Sequence, residues 1–147
     1  MSLEYAWRTT ADLPVKTLNT LMSCVPKLRP IEGVWGGGGV SSISVLEESV
    51  WGKDIIRKAC GFIPSTMVIF RIEKSDRHIG VETMLNATFA LLRELPCDDL
   101  ALVFNGEEIL LTYSHSELSV NAGTTFWRPE WLEAIPLAYR FSVFPNL

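Results

Sequence analysis

Histidine and cysteine are scarce in this chain. Two histidines (His78 and His115) and three cysteines (Cys24, Cys60 and Cys97) stand among 147 residues, and no CxxC occurs. The wide spacing argues against a structural zinc site, and neither histidine has a Cys, Asp or His neighbour at metal-ligand spacing. Three isolated cysteines are expected to be small buried hydrophobes in a reducing compartment. No apolar run approaches the roughly 20 residues that span a bilayer. The N-terminus shows no basic segment followed by an apolar one, so no signal peptide is expected and the cytoplasm is the expected address. Basic excess is lacking too: 17 acidic against 13 basic residues leave a net charge of −4, the wrong sign for a nucleic-acid-binding face. Gly-x-Ser-x-Gly is absent, which leaves a hydrolase elbow unsupported. No catalytic, cofactor or metal signature emerges.

What is present is a core. An apolar fraction of 48% with 20% charged residues describes a globular chain, long enough for one domain over 1–147 and too short for two comfortable ones. The glycine run Gly36–Gly39 invites a phosphate-cradle interpretation, and its context rejects it. A P-loop continues into Lys-Ser/Thr and a helix, and a dinucleotide-binding loop also needs a helix directly downstream. Here Val40-Ser41-Ser42-Ile43 is strand-like and no lysine is near. A flexible hairpin or bulge is expected instead.

Leu3, Tyr5 and Trp7 alternate with polar or small residues as a half-buried strand does. Asp12 precedes Leu13-Pro14 as an expected N-cap, and apolar residues at helical spacing follow until Pro26. Ile31–Trp35 and Val40–Leu46 are expected to pair across the glycines. Residues 49–60 suit a short helix capped by Ser49 and closed by Gly61. Thr66–Ile72 is a central-strand segment. From Ser75 or Asp76 to about Leu95 runs the longest helix, with Val81, Met84, Leu85, Thr88, Leu91 and Leu92 on its apolar stripe. In LALVFNGEEILLTY, Asn105-Gly106 predicts a two-residue type I′ hairpin. That register opposes Phe104 to Glu107, Leu102 to Ile109, Leu100 to Leu111 and Asp99 to Thr112, with one core face. Leu118–Val120 extends the meander, Pro129 opens a small helix, and Leu137, Tyr139, Phe141 and Val143 alternate as a last strand. The expected fold is α+β: a mostly antiparallel sheet of about six strands with two or three helices on one face.

Three carboxylate pairs, Glu47–Glu48, Asp98–Asp99 and Glu107–Glu108, are the nearest approach to acid–base chemistry. In the predicted hairpin Asp99 and Glu107 lie on the order of 20 Å apart, too far for a glycosidase pair. They are expected to be solubilising strand ends, with Asp98, Asp99, Glu107 and Glu108 available as an acidic rim for a partner. Trp127 and Trp131, beside Phe126 and Arg128, plug the core or form an interface hot spot. Trp35, at the edge of the glycine run, is the remaining partner-binding candidate.

Taken in order, several landmarks resemble the Sit immunity proteins of bacterial swarming-inhibition toxin systems. They are Leu3–Tyr5, Gly61-Phe62-x-Pro64, Phe70-Arg71, Met84 with Leu91-Leu92, and Leu95-Pro96-x-Asp98. Phe104-Asn105-Gly106-Glu107, Leu118 with Asn121, and Phe126-Trp127-x-Pro129-Glu130 complete the set. Residues 25 to 50 carry no part of the likeness. The resemblance implies a cytoplasmic antidote that binds a cognate toxin in sibling cells and blocks it without catalysis, a kin-discrimination role with no cofactor. Two alternatives stay open: an enzyme with a cryptic cleft using Glu107, His115 or Arg71, and a homodimeric interaction module.

Overall fold

The structure, a computed structural model, describes residues 2–147. Strand β1 (Ser2–Thr9) buries Tyr5, Trp7 and Thr9 on one face and half-buries Ala6 and Arg8 on the other. Helix α1 (Val15–Ser23) follows, then the short strands β2 (Arg29–Ile31) and β3 (Val34–Gly37), and β4 (Val40–Glu47). Helix α2 (Val50–Cys60) leads to β5 (Thr66–Glu73), and a 3₁₀ turn (Lys74–Asp76) leads into α3 (Arg77–Glu94). The rest comprises β6 (Leu100–Phe104), β7 (Glu108–Ser114), β8 (Glu117–Asn121), α4 (Pro129–Glu133) and β9 (Tyr139–Ser142). All nine strands form one sheet of order β2-β3-β4-β5-β1-β6-β7-β8-β9. Neighbours are antiparallel except β8 and β9, which run parallel, so the sheet is mixed.

The fold is α+β, as expected, but among the described residues it has nine strands and four helices rather than about six and two or three. The helices also cover both faces. Tyr5, Trp7, Val68, Phe70, Ile72, Leu100 and Leu102 share a core with Leu21 and Met22 of α1, the buried side of α3, and Trp131 of α4. On the reverse face Ala101, Val103 and Ile109 pack beneath Ile56 of α2 and Phe62, with Phe144 and Leu147 from the C-terminal tail alongside. A strand buried on both faces loses its alternation. That is why β6 and β7 read as continuous apolar runs. α3 is buried around most of its circumference, from Gly80 to Leu92, with only Glu82 and Asn86 of that stretch exposed.

Local signals hold well. Ser49 Oγ accepts from the Gly52 N–H at 2.9 Å, and Gly61 closes α2 in the left-handed region, as its cap residues require. At α1 the cap differs: the helix starts at Val15 with Pro14, not Asp12, at the cap position. The cysteines differ too, since Cys24 and Cys97 are exposed and only Cys60 is half-buried. The Asn105-Gly106 turn forms, both residues at positive φ (55° and 74°), with the Glu107 N–H donating to the Phe104 carbonyl at 3.0 Å.

The register beyond that turn is not the expected one. Phe104 opposes Glu108, Val103 opposes Ile109, Leu102 opposes Leu111, and Thr112 opposes Ala101 rather than Asp99. Two residues are extra: Glu107 joins the connection between the strands, and Leu110 is a bulge that turns Leu110 and Leu111 toward the α3 core while Ile109 faces α2.

Two further expectations are overturned by packing. Glu48 is buried rather than solvated, 4% exposed, and pairs with Arg8 Nη1 at 3.2 Å while accepting from the Ser49 N–H at 3.1 Å. The glycine turn is not a free loop either. Gly37, Gly38 and Gly39 all hold positive φ; Gly37 lies against the Lys27 backbone, and Gly38 and Gly39 lie against the first turns of α3. A Cβ on Gly38 would stand 2.6 Å from Thr83 Oγ1, and one on Gly39 would stand 2.5 Å from the Gly80 nitrogen. Thr83 Oγ1 donates to the Gly38 carbonyl at 2.7 Å. Glycine is required here by close approach as well as by the turn.

Candidate partner-binding surface

The N-terminal end of α3, the segment 122–128 and α4 converge above the Tyr5 face of the sheet. Asn121 begins that segment with its amide buried, donating to the Ile109 carbonyl at 2.6 Å and accepting from the Gly123 N–H at 2.8 Å. Thr124 then donates to Glu108 Oε1 at 2.7 Å and accepts from the Phe126 N–H at 3.2 Å. These bonds pin the chain where Phe126 enters the core and Pro129 starts α4.

A chain of aromatic rings results, running from the sheet to solvent. Phe104 lies 4.8 Å from Tyr5, Tyr5 lies 5.9 Å from Phe126, and Phe126 lies 5.2 Å from Trp131. His78, exposed in the first turn of α3, stacks on Trp131 at 5.4 Å, and the Arg128 guanidinium sits 5.5 Å from the same indole. Trp127 branches from Phe126 at 5.0 Å and donates its Nε1–H to the Leu110 carbonyl at 3.0 Å. That bond caps the carbonyl of the bulged residue, so the bulge and the segment that covers it are one unit.

Two buried polar atoms stand out along this chain. Burial pushes the Tyr5 phenol above its ordinary pKa, and the Arg77 guanidinium pulls the other way. The Trp131 Nε1–H has no hydrogen-bond acceptor among the described residues. Beside Trp131 a groove of about 200 Å³ opens between α3 and α4, with Lys27, Ile79, Glu82, Asn86 and Glu130 on its walls. Ile79 is 43% exposed. The result is an apolar and aromatic floor under a rim of mixed charge.

The sequence candidates separate into four places. Glu108, Trp127 and Trp131 belong to this region; Trp131 is its buried floor, not an exposed anchor. Glu107 stands exposed at the tip of the β6–β7 hairpin. Asp98 and Asp99 lie at the other end of the sheet, where they latch β1 to β6. Thr10 Oγ1 donates to Asp98 Oδ1 at 3.0 Å, the Asp99 N–H donates to Thr10 Oγ1 at 2.8 Å, and Thr9 Oγ1 donates to the Asp99 carbonyl at 2.7 Å. Trp35 is remote, half-buried, with its Nε1–H donating to Asn19 Oδ1 at 2.9 Å. Glu107 and His115 flank β7 at its two ends, and Arg71 is engaged with Glu4 at 3.2 Å and Ser44 at 3.2 Å. The three residues suggested for a cryptic cleft are therefore not brought together. Spacing gives His78 and Ile79 no partner-binding signal, and Arg128 enters only as a neighbour of Trp127 and Trp131. Only the density of aromatics around Arg128 hints at them.

Residues 3–131 match the SitI3-like family. The chain belongs to that family. No curated protein and no solved structure gives a match. The SitI3-like span runs from β1 into α4 and ends at Trp131, so it takes in the whole aromatic chain from Tyr5 outward. β9 and the tail residues Phe144 and Leu147 lie beyond it. Among the described residues no helix is long and apolar enough to cross a membrane, and no group of three or more His, Cys, Asp or Glu is placed to hold a metal ion.

Proposed function

We propose that this SitI3-like protein is an immunity protein that binds a cognate bacterial toxin in the cytoplasm and holds it inactive in a one-to-one complex, without catalysis. Family membership across residues 3–131 carries the proposal. An inhibitor of this kind needs a complementary surface rather than an active site. The surface proposed for it is the α3–α4 face around Trp131. Interface hot spots favour tryptophan and arginine seated where neighbouring residues exclude water. Here Arg128 and His78 lie over a buried indole, Ile79 offers exposed apolar area, and Lys27, Glu82 and Glu130 form a polar rim. The groove is small and suits one protruding side chain of the toxin.

The test is co-expression with the product of the neighbouring toxin gene. The expected outcome is a stoichiometric complex and protection of the producing cell. Arg128→Ala and Ile79→Asp should each weaken the complex at least about tenfold, about 1.4 kcal/mol, without lowering the melting temperature of the free protein. Asp98→Ala, at the far end of the sheet, should leave affinity unchanged. A deletion strain that stays fully resistant to its siblings ends the immunity reading. A complex insensitive to both α3–α4 variants ends the assignment of the surface.

A further inference from the structure

The two edges of the sheet are built differently. The β2 edge has three residues with Pro30 at its centre, a blunted edge that offers few donors. The β9 edge, Tyr139-Arg140-Phe141-Ser142, carries no proline or lysine. It presents Tyr139 (37% exposed), Phe141 (57%) and, just beyond the strand, Val143 (78%) along one face. Unprotected apolar edges of this kind pair with another strand. β9 lies outside the span matched to the SitI3-like family, so this surface is independent of the toxin-binding proposal.

We infer that β9 is an association edge for a second copy of this chain, paired antiparallel about a two-fold axis through Phe141. The backbone sets which residues can pair. The Ser142 carbonyl accepts from the Ala122 N–H at 2.8 Å, on the β8 side. Backbone groups alternate sides along a strand, so the N–H and C=O of Tyr139, Phe141 and Val143 point to the open edge. A two-fold through Phe141 makes Phe141 a hydrogen-bonded pair with its own copy and sets Tyr139 opposite the second copy's Val143. Apolar residues then meet apolar residues on one face. On the other, Arg140 meets Ser142 of the second copy and keeps its own partners, Glu117 at 3.2 Å and Ser119 at 3.3 Å.

The neighbouring registers are worse. A slip toward the N-terminus sets Arg140 opposite Arg140, and like charges directly opposed destabilise a strand pair. A slip toward the C-terminus sets Tyr139 opposite Pro145, which has no N–H to donate. The pairing is isologous and closes on itself, so it ends at a dimer rather than a fibre.

The decisive experiment is cross-linking of the full chain with the exposed Cys24 and Cys97 changed to serine. In that background Phe141→Cys should form an intermolecular disulfide on mild oxidation, because a hydrogen-bonded antiparallel pair holds its Cα atoms about 5.5 Å apart, within disulfide reach. Arg140→Cys should not, since its own copy lies two positions out of register, on the order of 8 Å away. Sedimentation of the unmodified protein should show a concentration-dependent shift toward twice the 16.5 kDa of one chain. Phe141→Lys should return it to monomer with its far-UV spectrum and melting temperature unchanged. A strictly monomeric protein at its highest soluble concentration overturns the inference. So does cross-linking at Arg140→Cys but not at Phe141→Cys, or a dimer that survives Phe141→Lys. No toxin enters these measurements, so their failure leaves the immunity proposal to be judged separately.

Discussion

Replacing Gly80 with alanine sets two physical effects against each other. Alanine in an exposed helix interior is favoured over glycine by about 1 kcal/mol, so propensity alone predicts a more stable protein. The packing predicts the reverse. A Cβ at Gly80 would run into Ile72 Cγ2, and would stand 2.8 Å from the Gly39 carbonyl oxygen and 3.1 Å from its carbon. Ile72 is fully buried and cannot swing aside. Gly39 is held in a turn of consecutive positive-φ residues, and its carbonyl accepts from the Glu73 N–H at 3.3 Å. Overpacking of a filled core costs about 1–3 kcal/mol. With both a core side chain and backbone in the way, the upper end applies, about 3 kcal/mol. Subtracting the propensity gain leaves a net loss of about 2 kcal/mol, or roughly 4–8 °C in Tm for a chain of this size. Urea unfolding followed by tryptophan fluorescence should show a lower midpoint at an unchanged slope. In an Ile72→Ala background the added cost of Gly80→Ala should shrink, because one of its two obstacles is gone. A Tm for Gly80→Ala equal to or above that of the parent protein would falsify the close docking of the glycine turn on α3.

Other substitutions probe other contacts. Arg8→Met strands the buried Glu48 carboxylate and should cost about 3–5 kcal/mol. The double variant Arg8→Met/Glu48→Met should recover much of that loss, and strictly additive melts would show the two side chains to be energetically independent. Gly106→Val forces a β-branched residue to φ near 74° and should cost about 1–2 kcal/mol; an unchanged midpoint would mean the turn is not strained by the substitution. Burial pushes the Cys60 thiol up to about 11. At pH 8 only about one in a thousand Cys60 thiols is then ionised, whereas Cys24 and Cys97 are exposed. Iodoacetamide should therefore label Cys24 and Cys97 first, with Cys60 gaining reactivity only as pH rises toward 11. Equal labelling of all three at pH 8 would contradict the burial of Cys60.

What could be read from the residues were the features that local chemistry decides. The Asn105-Gly106 turn forms because few other pairs tolerate two successive positive φ angles. Ser49 and Gly61 bound α2 because each serves backbone groups within a few residues of itself. The long α3 follows from the helical spacing of Val81, Met84, Leu85, Thr88, Leu91 and Leu92 ahead of Pro96, despite Gly80 within it. The family likeness also rested on such landmarks, the turns, helix stops and core positions that repeat in order along the chain. In the hairpin register, where a local rule gave the wrong detail, a distant contact takes part. The Leu110 bulge is held by Trp127, 17 residues away.

Only the tertiary structure decided how these pieces meet. Nothing near Val50–Cys60 in the sequence states that α2 crosses to the reverse face, since that depends on Ala101, Val103 and Ile109 offering it a second apolar surface. Nothing near Glu48 states that it is buried, since its partner Arg8 is 40 residues away. The meeting of His78, Arg128 and Trp131, and the open edge at β9, are products of long-range order in the sheet. Backbone sterics and capping act over four or five residues and are written locally. Burial and partnership depend on which surfaces remain free once the whole chain has packed.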